Sequence, residues 1–257
     1  DYLYHNIGDS VILYTQDGKV LKQEEVSSYP CVGEDRPGLR YFRSVRTTGL
    51  NENTVVALFS ARPLNTGTSY MKMWMPASSD VSYFTALAPG AKTASSPYQN
   101  KPSLVVTMRK EKPAVKEPFV AVYEPISDKV SAGLIESVDR VKLDPQGEEG
   151  CAIKVNTKEG DTFTLVNILK DGPVILNNQK CCGDFAIFAK RKGKNSVYVG
   201  NGSFVENKEF KVESENRGSF YMEYDQTSLL VRSNCPIKIQ AKNGMLKEPF
   251  YLTGGER

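Results

Sequence analysis

Apolar residues at i, i+3, i+4 and i+7 never persist in this chain for ten residues without a Gly or Pro. No stretch can therefore lay down the apolar stripe of an amphipathic helix. What recurs instead is a short run rich in Val, Ile, Thr, Tyr and Phe, closed by Gly, Asn, Asp or Pro. About fifteen such runs follow one another, and no repeat period emerges that would favour a solenoid. The pattern predicts an all-β chain, a large two-sheet antiparallel β-sandwich of supersandwich type with little or no helix.

The densest strand signal lies between Tyr70 and Pro125. Met71, Met73 and Met75 alternate with Lys72, Trp74 and Pro76, which a strand of period two would sort onto opposite faces. Ser103 to Met108 and Pro118 to Tyr123 read as two further strands joined by a charged connection from Arg109 to Glu117. Upstream, Tyr2 to Tyr4, Val11 to Tyr14, Tyr41 to Thr47 and Thr54 to Ser60 carry the same signature, whereas Thr15 to Arg40 loses periodicity and reads mostly as loop, with room for one short strand, over a sheet edge or cleft. Downstream, Cys151 to Thr157 and Thr162 to Ile168 flank Lys158-Glu159-Gly160-Asp161 as a hairpin, after a turn through Asp144-Pro145-Gln146-Gly147. A meander follows through Phe185 to Lys190, Ser196 to Val199, Phe204 to Val212, Ser219 to Tyr224, Ser228 to Val231 and Ile237 to Gln240, with Asn201-Gly202 as one of its turns.

A chain of 257 residues, 40% of them hydrophobic, can bury a large core, and residues 1–257 read as one domain. The 33 Lys and Arg are interspersed with 30 Asp and Glu. That mixture lacks the basic blocks that phosphate backbones attract, so nucleic acid is not an expected partner. No apolar run reaches the roughly 18 residues of a membrane span, and no signal-peptide layout opens the chain. Because it begins at Asp1, directly in strand-like sequence, the expectation is that a segment is missing upstream.

Cys31, Cys151, Cys181, Cys182 and Cys235 form no C-x-x-C pair and have one His to join them, which disfavours a zinc site. The adjacent Cys181-Cys182 pair is expected in a turn, as free thiols or with at most one ordinary bridge in the chain. There is no G-x-S-x-G elbow, P-loop or G-x-G-x-x-G. No cofactor is expected. Glu124, Asp128, Glu136 and Asp139 would serve a glycosidase only if two of them faced each other.

The segments MKMWMP, FTALAPG and FVAVYEPISDK resemble the C-terminal β-sandwich domain of heparinase II/III-like polysaccharide lyases, and DYLYHNIGD resembles a segment near that domain's start. The likeness spans roughly the first half of the chain. It implies a longer parent protein with an N-terminal α-helical toroid, exported to the periplasm or beyond, that acts on an acidic polysaccharide by β-elimination. This chain would close one wall of the cleft and be inactive alone.

In such a lyase a base removes the proton α to a uronate carboxyl group while neighbouring groups neutralise the developing charge. The sole His5 is the catalytic candidate, set against the plainer role of an ordinary strand residue. Alternation puts it with Leu3, opposite Tyr2 and Tyr4. Tyr98 and Asn100, on a small-residue loop, are candidates for sugar contact, although thirteen tyrosines make packing the commoner role. Arg109, with Lys110 and Lys112 beside it, offers a bidentate fork for a carboxylate or sulfate. Trp74, with Tyr70, Tyr83 or Phe84, could form a flat sugar-stacking platform. That platform would mark the alternative, a non-catalytic carbohydrate-binding or structural module. A metal site within this chain is not expected, since one His leaves the ligand set incomplete.

Overall fold

The computed structural model describes residues 1–256 except 31–36, 63–66, 91–93, 95, 112–116, 128–132, 145–149, 169–171 and 243–247. Cys31, Lys112, Asp128 and the Pro145 to Gly147 part of the expected turn lie outside the described residues. All sheets are antiparallel, and the helical content of the described residues is a 3-10 turn at Pro37–Tyr41. No helix among them is long and apolar enough to cross a membrane. The contacts group into two compact units, residues 1–114 with 119–134 and residues 115–118 with 135–257.

The first unit is a sandwich of two sheets. One has the order β1 (Tyr2–Asn6), β8 (Ser103–Lys110), β7 (Val81–Ala88), β4 (Arg43–Leu50) and β3 (Glu24–Glu25). The other has the order β2 (Ser10–Thr15), β5 (Val55–Ala61), β6 (Ser69–Met75) and β9 (Val122–Ser127). Alternation sends Met73, Met75 and Phe59 inward from one sheet, and Tyr83, Val106 and Met108 inward from the other, into one core cluster. Full burial of each such side chain stabilises the fold by about 1.5–3 kcal/mol. The two runs either side of the charged connection enter different sheets. The second strand begins at Val122 rather than Pro118, and Phe119 and Ala121 pack against the core instead.

The aperiodic segment after β2 covers the outer face of the five-stranded sheet. Its Tyr29 packs edge-on against Phe84 and Phe42, with ring centroids 5.1 and 5.7 Å away, in a second cluster with Val45, Ala86 and Val105. Both faces of β8 are therefore buried, which explains its unbroken apolar run from Leu104 to Val106.

The second unit is one continuous sheet that folds over on itself. Its first layer runs β10 (Ile135–Val141), β11 (Gly150–Thr157), β12 (Thr162–Ile168), β15 (Phe185–Arg191), β16 (Lys194–Glu206), β17 (Phe210–Tyr224), β18 (Leu229–Ser233) and β21 (Gly255–Glu256). The far halves of β16 and β17 leave that layer to pair with β14 (Gln179–Cys182) and β19 (Ile237–Ala241), which carry β13 (Val174–Leu176) and β20 (Phe250–Leu252).

The register slips at Gly202 opposite Gly218, where the long hairpin turns the corner. A Cβ on Gly202 would lie 2.4 Å from the Cys182 carbonyl oxygen, so the corner is built for glycine. Both layers feed one core, including Val166, Phe188, Val205, Phe220 and Ile239. Asn201-Gly202 is thus a bend inside β16 rather than a turn between strands. The expected turn at Cys181-Cys182 also gives way to strand. Alternation there buries Cys181 and turns Cys182 to the other face, and Cys151, Cys181, Cys182 and Cys235 are free thiols.

Candidate functional site

At one end of the first unit, the β1–β2 turn, the exit of β5 and the loop before β8 converge on Asp9. Gly8 lets the turn approach the β5 exit closely, since a Cβ there would lie 2.5 Å from the Ser60 carbonyl oxygen. That approach brings the Asp9 carboxylate within 2.8 Å of the Arg62 N–H and 2.9 Å of the Tyr98 hydroxyl, which donates to it. The Arg62 N–H also reaches the Tyr98 oxygen at 2.6 Å.

Tyr98 is only 7% exposed, yet its hydroxyl both donates and accepts. Burial, with the Asp9 carboxylate alongside, pushes its phenol above the ordinary value. Conversely, the Tyr98 hydroxyl first, then the Arg62 N–H and the charges of Lys101 and Arg62, hold the Asp9 carboxyl below the usual carboxylate range.

Two cations stand beside this bonded pair. The Lys101 Nζ lies 5.2 Å from the centroid of the Tyr98 ring. The exposed Arg62 steadies its Nε on Thr68 Oγ1 at 3.3 Å. Asn100, exposed and with φ of 61°, turns the chain between Tyr98 and Lys101, and the Lys101 N–H closes that turn on the Tyr98 carbonyl at 3.1 Å. Here Tyr98 is a protonated, committed cross-link that positions cations. The groups open to a ligand are the Arg62 guanidinium, the Lys101 ammonium and the Asn100 amide, a set suited to carboxylate and hydroxyl recognition.

The other expected site residues are spread over the unit. His5 is exposed on edge strand β1 opposite Val105, on the face away from the inter-sheet core, and β1 ends one residue later on its way to Asp9. Arg109 sits at the far end of β8, about 20 Å from Ser103 along an extended strand. Its Nη1 donates to the Pro30 carbonyl, its Nε lies 3.9 Å from the Asp1 carboxylate and its guanidinium lies 6.0 Å from the Tyr29 ring. It pins the covering segment down.

Trp74 is 4% exposed and donates its indole N–H to Glu124 at 3.1 Å. Glu124 is buried too, and its other oxygen accepts from the Leu134 N–H. With Tyr83 and Phe84 also buried, these rings pack and form no flat exposed platform. Sequence reasoning missed Asp9, Arg62 and Lys101 as site members. The Gly8-Asp9 turn signal was visible, but nothing local links it to two cations that lie 53 and 92 positions away from Asp9.

An all-β chain with an exposed, cation-flanked end is a form that a carbohydrate-active protein can use, and comparison with known proteins narrows the class. No family model matches the chain, and no solved structure matches it. Among curated proteins, it is 31% identical over 232 residues to an endo-acting ulvan lyase of Formosa agariphila. The match takes in 86% of this chain and 28% of that protein. The chain is therefore related to a part, a little over a quarter, of a polysaccharide lyase.

Proposed function

We propose that this chain is the β-sandwich part of a polysaccharide lyase of heparinase II/III-like type, which cleaves ulvan or a similar uronate polysaccharide by endo-acting β-elimination. The observation that carries the reading is the 31% identity to the ulvan lyase across nearly the whole chain. The phrases MKMWMP and FVAVYEPISDK, similar to heparinase II/III-like sandwich domains, support the finer assignment. An N-terminal α-helical domain of the same parent supplies the rest of the cleft, and the protein works in the periplasm or outside the cell.

In the reaction, a base takes the proton α to the uronate carboxyl group and the released electron pair becomes the new carbon–carbon double bond. The glycosidic oxygen departs with a proton from an acid. Charge builds on the carboxylate as the proton leaves, so cations aimed there lower the barrier. Arg62 and Lys101 take that part, with Asn100 on a sugar hydroxyl, Tyr98 holding the three in place and His5 bordering the same wall. Arg109 and Trp74 brace the sandwich away from this wall, on Pro30 and Glu124 respectively.

The test uses the longest native polypeptide that contains this chain, assayed by the ultraviolet absorbance of unsaturated products from ulvan and other uronate polysaccharides. Activity is expected, with kcat/KM down about 10- to 100-fold in Arg62→Ala, the cost of one charged contact. An active enzyme indifferent to Arg62→Ala and Lys101→Ala would remove this end of the sandwich from the cleft. Silence on every substrate would remove the lyase reading.

A further inference from the structure

The folded-over layer of the second unit presents a face that the elimination chemistry does not use. Phe204, Glu213, Lys238 and Tyr251 stand in one rank across it, paired in register strand by strand from β16 through β17 and β19 to β20. Alternation turns these four outward because their neighbours Val205, Val212, Ile239 and Leu252 fill the core. The two aromatic residues are three strand spacings apart, about 14 Å. Tyr251, at 66% exposed, is among the most open large hydrophobic side chains of the described residues.

Each ring has ammonium groups beside it. Lys180 and Lys211 lie 5.6 and 5.9 Å from the Phe204 centroid, and Lys238 lies 5.7 Å from that of Tyr251. Lys242 joins them through its 2.5 Å ion pair with Glu206, while Glu213 is paired with Lys211 at 2.7 Å. Four cations thus stand against three carboxylates, Glu206, Glu213 and Glu215, the last of which lines the adjoining groove. At the Tyr251 end the face opens into a groove of about 580 Å³, where Ser214, Asn216 and Thr253 add neutral hydrogen-bonding groups. That volume is within the range of sites that hold small ligands.

We propose that this face is a non-catalytic binding surface for an anionic polysaccharide chain. A sugar lays its C–H face on an aromatic ring, its hydroxyls meet neutral polar groups, and its carboxylate or sulfate meets an ammonium. The rank repeats ring and cation at two points along one line, a layout for an extended polymer. The ligand's acidic character rests on the lyase reading first, and on the face itself only through one cation in excess and the ammonium groups beside the rings. Lysines are hydrated point charges, so binding weakens as salt screens them.

The test is calorimetric binding of ulvan, and of a neutral polysaccharide of similar length, to the 257-residue chain. Ulvan is expected to bind, with Kd raised about tenfold in Tyr251→Ala and in Lys238→Gln, and restored in Tyr251→Trp. Both changes are on exposed or half-exposed side chains and leave the core intact. Unchanged affinity in both variants, no binding by the unmodified chain, or equal binding of the neutral polymer would overturn the proposal. Retention of ulvan that depends on Tyr251, with no unsaturated product from any form of the protein, would sink the lyase reading and keep this face. Product formation without such retention would do the reverse.

Discussion

The two units solve the same problem, burying a β core, in different ways. In the first, two sheets that share no strand pack through side chains such as Phe59, Met73 and Tyr83, and a loop segment around Tyr29 covers the outer face. In the second, β16 and β17 belong to both layers, so the backbone itself carries the sheet around the corner at Gly202 and Gly218. The contrast teaches where each unit is vulnerable. Side-chain volume governs the first, whereas backbone clearance at a few glycines governs the second. The two proposed recognition surfaces differ in kind as well. In the first unit the open cations sit on loops at a sandwich end, and in the second they line a flat sheet face.

The largest effect that would sharpen this contrast is Phe59→Ala, expected to cost about 3–5 kcal/mol through the cavity it leaves in the inter-sheet core. Peptide-resolved hydrogen exchange should show the loss of protection in β2, β5 and β6. Equal loss throughout the second unit would mean that the two cores are one cooperative body.

Next comes Gly202→Ala, expected to cost about 3 kcal/mol because the new Cβ meets a backbone carbonyl that cannot step aside. Urea unfolding would measure it, and a change under about 0.5 kcal/mol would show that the corner has slack. By comparison, Gly49→Ala meets nothing within 4 Å and bears only the strain of its φ of 67°, so about 1 kcal/mol is expected.

A smaller loss than that of Gly202→Ala is expected of Tyr98→Phe, about 1–2 kcal/mol for a buried hydroxyl bonded to Asp9 and Arg62. Its stronger signature should be weaker polysaccharide turnover by the parent polypeptide as the Arg62 backbone and Asp9 lose their shared hydroxyl, while the ring under Lys101 stays.

The smallest effect is one of pH. The Asp9 carboxyl is held below its unfolded value, so its contribution is fully present above that value, about 3.9, and fades as pH falls through the folded one. Thermal unfolding of Asp9→Asn should therefore be flatter with pH below about 4 than that of the unmodified chain. Parallel curves would show that the carboxylate does not anchor this end.

Much of this fold was legible because strand periodicity is local. The Lys158 to Asp161 hairpin stands where its turn residues announce it, and Met73 and Met75 are wholly buried on one face of β6 as their alternation implied. Trp74 lies on the opposite face, as the same alternation implies, but that face is covered too, with Glu124 taking the indole N–H, and no period of two can reveal such a cover.

The run from Phe204 to Val212, read as one strand, is broken because the buried Asn207 side chain accepts the N–H groups of Glu209 and Phe210, both at 2.8 Å, and so makes the hairpin turn. Asn201-Gly202 erred in the other direction, since a glycine required for clearance looks in sequence like a glycine required for a turn. The cations at Arg62 and Lys101 were illegible because they become neighbours only once β5 and the loop before β8 arrive at Asp9.

As proposed, the parent protein breaks a uronate polysaccharide by elimination, and that chemistry leaves a distinct mark on its products. The most direct measurement is the proton NMR spectrum of ulvan fragments released by the longest native polypeptide containing this chain. Elimination gives a vinylic proton from a new carbon–carbon double bond at each new non-reducing end. Fragments with saturated ends would mean hydrolysis and contradict it.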